Sequence, residues 1–160
     1  MDESAGEAAR ARLVLFRAGD PHYAPRVARR RRVMSMAPVD PTEAETAERA
    51  RRSLSLPAGV HWEYLQADDI PLMLRSRDLR DADDARWDAE RVFEDALRLR
   101  VVFVQDRLTR QVSWWLASGR EVLLVAPTAW AVTNRAGAAA HARRALRALR
   151  AQPPWGEYAF

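Results

Sequence analysis

The 160 residues, 48% of them hydrophobic, are enough for one domain with a substantial core, and the absence of cysteine excludes disulfides, thiol nucleophiles and thiolate zinc sites. All 26 basic side chains are arginine and the formal net charge is +4. Residues 1–39 carry 8 Arg against 4 acids, a net of +4, whereas residues 40–160 carry 18 of each and sum to zero, which gives a polyanion little reason to bind the body.

The body is nonetheless polarised. Residues 40–100 hold 10 Arg and 15 acids, and residues 101–160 hold 8 Arg and 3 acids. Halves of −5 and +5 favour docking on each other, or head-to-tail contact between copies. Arginine without lysine, with Ile70 the single isoleucine and Asn134 the single asparagine, reads as the coding bias of a G+C-rich genome. The apolar run Leu13–Phe16 is too short for a signal peptide, and Val122–Val132 is interrupted by Pro127 and Thr128 and too short for a bilayer span. A cytoplasmic protein without a membrane segment is expected.

Residues 1–39, containing "PHYAPRVARRRRV", show no sustained period and read as a disordered basic arm whose Arg29, Arg30, Arg31 and Arg32 are candidates for phosphate contact. Initiation at Met34 or Met36 would leave that arm out. A single domain is expected over 40–151. "DPTE" at Asp40 opens a helix to about Leu54, with Asp40 as N-cap and Pro41 at the first position. "GVHWEYLQ", 59–66, alternates as a strand, with Val60, Trp62 and Tyr64 on one face and His61, Glu63 and Leu65 on the other. "IPLML" from Ile70 is its partner, confined by Pro71 to a strand start or an edge.

Residues 81–99 repeat apolar side chains at helical spacing, with acids first and arginines last to suit the helix dipole. Trp87 falls on the charged face, where a large aromatic suggests a loop or partner against it. A meander follows, with strands at 100–105, 111–117 and 120–126. An Ala-rich helix spans about 129–151, with a break near Thr133–Asn134. The aromatic tail 152–160 carries Trp155. The expected fold is α+β: an antiparallel meander sheet of three to five strands packed with helices, in the order α-β-β-α-β-β-β-α.

"VSWWLA", 112–117, puts Trp114 and Trp115 on opposite faces. The simplest turn registers gather Val102, Val104, Val112, Trp114, Leu116, Leu123 and Val125 on one side. Val101, Phe103, Ser113, Trp115, Val122 and Leu124 fall on the other. Both faces are apolar, so both need cover. Covering about 400 Å² at roughly 25 cal/mol/Å² is worth on the order of 10 kcal/mol, as much as a domain's net stability. One solution is internal, with the 81–99 helix on one face and the C-terminal helix on the other. Another is a partner, which makes Phe103, Trp115, Val122, Leu124, Trp87 and Trp155 the candidate interaction surface.

No constellation for catalysis stands out. His22, His61 and His141 lack metal-ligand spacing, and there is neither a G-x-S-x-G nor a phosphate-binding glycine loop. The acidic run "DADDARWDAE" has Arg86 where a calcium loop needs glycine. Neither a cofactor nor a metal is expected; an enzyme would need His61, Glu63 and further acids gathered in one cleft. The sequence therefore favours a non-enzymatic protein-interaction module, homodimeric through the Trp115 face. The alternative is a nucleic-acid accessory protein using Arg29–Arg32 and the sheet aromatics.

Overall fold

A computed structural model describes residues 12–54, 59–66 and 68–151. The chain forms an antiparallel sheet with helices on both faces, an α+β fold with more strands than the sequence suggested. In chain order the strands are β1 (Arg12–Arg17), β2 (Ala37–Pro38), β3 (Val60–Leu65), β4 (Pro71–Arg75), β5 (Arg100–Asp106), β6 (Gln111–Ser118), β7 (Glu121–Val125) and β8 (Trp130–Ala131). Across the sheet they lie β1-β3-β4-β7-β6-β5-β2, and β8 pairs with the first residues of β6.

The helices are α1 (Tyr23–Met34), α2 (Ala44–Arg52), α3 (Ala82–Glu94) and α4 (Arg135–Arg150). From residue 40 onward the expected order holds, apart from the added β8. The expectation of a disordered arm is corrected for residues 12–39, which form β1, α1 and β2; residues 1–11 lie outside the described part. Side chains cap the 3₁₀ turn before α2 and the starts of α3 and α4, whereas α1 and α2 themselves begin without a side-chain cap. The Asp40 carboxylate accepts from the Thr42 N–H ahead of a single 3₁₀ turn, the Asp81 carboxylate accepts from Asp84 N–H, and Asn134 Oδ1 accepts from Gly137 N–H. The break expected near Thr133–Asn134 is real: β8 and a 3₁₀ turn precede α4.

α1 and α2 cover one face of the sheet. Val33, Met34, Met36, Ala47 and Ala50 pack there against Trp115, Ala117, Val102, Val104, Val122 and Val125. α3 and α4 both cover the other face, against Trp62, Tyr64, Trp114, Leu116 and Leu124. The expected one-helix-per-face arrangement of 81–99 and the C-terminal helix is thus corrected. The covering helices of the Trp115 face came from the segment read as an arm and from "DPTE".

Register differs from the simplest reading in two places. Asp106 pairs with Gln111 around a turn in which its carboxylate accepts from Leu108 N–H and Arg110 takes φ +52°. That aligns Val102 with Trp115, not Trp114. Between β6 and β7 a bulge at Leu116/Ala117 leaves Leu123 unmatched, so Leu124 joins the Trp114 face. Gly59 is needed where β3 begins: its φ is +138°, and a Cβ there would stand 2.1 Å from the Leu79 carbonyl oxygen.

Candidate functional site

β3 carries a polar pair on the face that α1 covers, and both His61 and Glu63 are fully buried. α1 meets them with an inward stripe of Tyr23, Val27 and Arg30. Arg30 Nη1 lies 3.0 Å from His61 Nδ1 and donates to Asp78 at 2.7 Å. A guanidinium can only donate, so Nδ1 accepts, and Nε2 carries the proton toward Glu63 Oε1, 3.1 Å away. Arg26 donates to the other Glu63 oxygen at 2.5 Å and lies over the Phe16 ring. The Tyr23 hydroxyl donates to Asp78.

Two arginines thus face two carboxylates around a neutral imidazole. Burial holds the His61 pKa below its ordinary value despite the Glu63 bond. Burial, with the Asp78 bond second, pushes Tyr23 up to about 12. The histidine–carboxylate pair has the parts of a proton-transfer site, but it lies in the core and not in a cleft. Its observed work is to fasten α1 to the sheet.

A second buried network lies on the opposite face. Arg75, 2% exposed, donates to both oxygens of Asp88 at 2.7 and 2.9 Å, and Trp62 Nε1 donates to the same carboxylate at 2.8 Å. Burial, the largest single influence, raises the Asp88 pKa, but the bonds and charge of Arg75, the Trp62 bond and the charge of Arg77 together outweigh it and the net shift is downward. Both oxygens of Asp88 are thereby held by bonds within the chain. Among the described residues no group of three or more acids and histidines is placed to hold a metal ion. None of the described helices is long and apolar enough to cross a membrane.

The residues singled out for interaction separate sharply. Trp115 is fully buried, and its Nε1 donates to the Val33 carbonyl at 3.0 Å. Val122 lies in the same core, and Leu124 is buried on the opposite face. These three are corrected from surface to core, because the chain's own helices provide the cover that a partner was expected to supply: α1 and α2 over Trp115 and Val122, α3 and α4 over Leu124. Phe103 and Trp87 remain at the surface, at 41% and 69% exposure. Trp155 lies outside the described residues. Of the four consecutive arginines, Arg30 is buried while Arg29, Arg31 and Arg32 face outward on α1, with Arg32 donating to Gln111.

Phe103 opens onto an apolar concavity at the β2–β5 end of the sheet. This cleft of about 230 Å³ is lined by Val39, Phe103, Val112, Ala138 and Ala139, with Arg135 at its rim. Val39 is 45% exposed and is held there by its N–H donating to Phe103 O at 2.8 Å. Arg135 is the first residue of α4, a helix with five arginines and no acid. Trp87 stands on α3, which has five acids and two arginines. Sequence reasoning missed Val39, Ala138 and Ala139 because the cleft joins segments about 100 positions apart. Comparison with protein-family models, with curated proteins and with solved structures gives no match.

Proposed function

We propose that the protein is an interaction module that associates with further copies of itself head to tail. Trp87 of one copy enters the Val39–Phe103 cleft of the next. The observation that carries this reading is complementarity between two exposed features of one chain. The knob is an indole flanked along α3 by Asp83, Asp84, Glu90 and Glu94, with Arg86 and Arg91 the cations beside it. The socket is apolar, with Arg135 and the positive N-terminus of α4 at its mouth. None of the α4 arginines has a carboxylate partner among the described residues.

α3 packs beside β3, near one edge of the sheet, while the socket opens beside β5, near the other. Knob and socket therefore serve different neighbours. Such a heterologous contact closes into a ring or continues as a filament. An aromatic anchor in an apolar pocket is also the usual form of an interface hot spot.

Sedimentation velocity over a wide concentration range tests this reading. Mass-action association is expected for the parent chain, weaker at high salt because charges ring the contact. It should be abolished by Trp87→Ala and by Phe103→Glu, which leave far-UV circular dichroism unchanged. A parent chain that stays monomeric at the highest concentration it reaches would end the proposal.

A further inference from the structure

We infer that a hollow on the α1–α2 side of the sheet binds a small anion carrying two or more phosphate groups. Four arginines from three elements line this cleft and the hollow that adjoins it. The last turn of α1 supplies Arg31, the last turn of α2 supplies Arg49 and Arg52, and the segment after β4 supplies Arg77. Ser53 and Ser76 form the shared floor of a cleft of about 420 Å³, where Arg49, Arg52 and Arg77 meet, and of a smaller adjoining hollow lined by Arg31.

The charge there is poorly compensated. Arg31 and Arg49 have no carboxylate partner among the described residues. Arg52 pairs with Glu48 at 2.7 Å on an open helix face, and Arg77 stands 3.8 Å from Asp88, which Arg75 already holds. Among the described residues Glu121 is the one carboxylate lining the cleft. The helix dipole accounts for arginines in the last turns of α1 and α2 taken singly. It does not account for Arg77, nor for three of these arginines lining one cleft with the fourth lining the hollow that adjoins it.

The serine hydroxyls are committed: Ser53 Oγ donates to Ala50 O at 2.9 Å and Ser76 Oγ to Val122 O at 2.7 Å. The ligand's bonds must therefore come from the guanidinium forks, whose geometry matches phosphate oxygens. A single carboxylate would engage one fork, whereas linked phosphates reach several. Cations gathered around one hollow, not strung along a groove, suit a compact ligand better than a nucleic-acid strand.

Isothermal titration of inorganic tripolyphosphate into the full chain at low ionic strength tests the site. One saturable event is expected, weakened about tenfold or more by Arg49→Ala and by Arg77→Ala, as loss of a charge-assisted bond implies. The paired change Arg143→Ala/Arg144→Ala on α4 should leave it unaltered. Thermal melting checks that each variant is folded, and Arg49→Ala decides alone if Arg77→Ala is not. Absence of saturable heat would overturn the proposal. So would equal weakening by the α4 changes, or binding of a thymidine oligonucleotide without binding of tripolyphosphate.

Discussion

Replacing Trp115 by serine separates the two ways of covering the central sheet. Were that face an interface between molecules, the change would split a dimer and spare the fold. With α1 and α2 of the same chain over it, the change should instead strike global stability. The indole is fully buried among Met34, Ala47, Ala50, Val102 and Val125 and donates to Val33 O. Removing about 200 Å² of aromatic surface from the core at roughly 25 cal/mol/Å² costs about 5 kcal/mol. A buried serine hydroxyl without a ready partner adds about 1–3 kcal/mol. The sum approaches the whole net stability of an ordinary domain, about 5–15 kcal/mol. Trp115→Phe keeps most of the packing and should lose about 1–2 kcal/mol, mainly the hydrogen bond and the smaller ring. Urea titrations followed by far-UV circular dichroism read both changes. A Trp115→Ser protein that keeps its midpoint within the loss expected of the Phe variant would refute intramolecular enclosure.

Acid should begin to destabilise the fold through its buried histidines. His61 and His141 have depressed pKa values in the folded chain, both chiefly by burial, so the unfolded chain takes up protons first as pH drops below about 6.5. Stability is therefore full above that pH and declines below it. His61 faces Arg30, Glu63 and Asp78 and is the more buried of the two, so His61→Gln should remove the larger share of the slope in urea midpoints measured between pH 7 and 5. At the other extreme, Tyr23 ionises in the unfolded chain near pH 10 but in the folded chain only at about 12, so stability should fall across that interval, with phenolate absorbance appearing as the chain opens. Asp88→Asn should cost about 3–5 kcal/mol, because Arg75 stays buried without its counter-charge. Calorimetry of the single variants and of Arg75→Met/Asp88→Leu would show the double variant recovering part of that loss.

Much of the fold was legible because its periodicities are local. α3 and the two faces of β3 followed from apolar spacing, and the turn that leads into α2 followed from Asp40. α1 was not legible, for a specific reason. Its inward stripe of Tyr23, Val27, Arg30 and Met34 is interrupted by an arginine, so the segment reads as solvated. Only Asp78 and His61, 48 and 31 positions away, make that arginine an interior residue. β1 was hidden in the same way, since its pairing with β3 spans some fifty residues. The sheet register turned on a positive-φ Arg110 and on one bulge, neither of which leaves a pattern in the residue types. Of the candidate surface, Phe103 and Trp87 proved open, since no described helix covers them as α1 and α2 cover Trp115. The partners of Phe103 in the cleft come from three distant segments and could be found only in the folded chain.

Head-to-tail association makes a demand that a symmetric dimer does not. Trp87→Ala destroys the knob but keeps the socket, and Phe103→Glu destroys the socket but keeps the knob. Sedimentation velocity of an equimolar mixture of the two variants, each monomeric alone, should show a one-to-one dimer that grows no further. A mixture that stays monomeric while the parent chain associates would contradict the knob-and-socket arrangement.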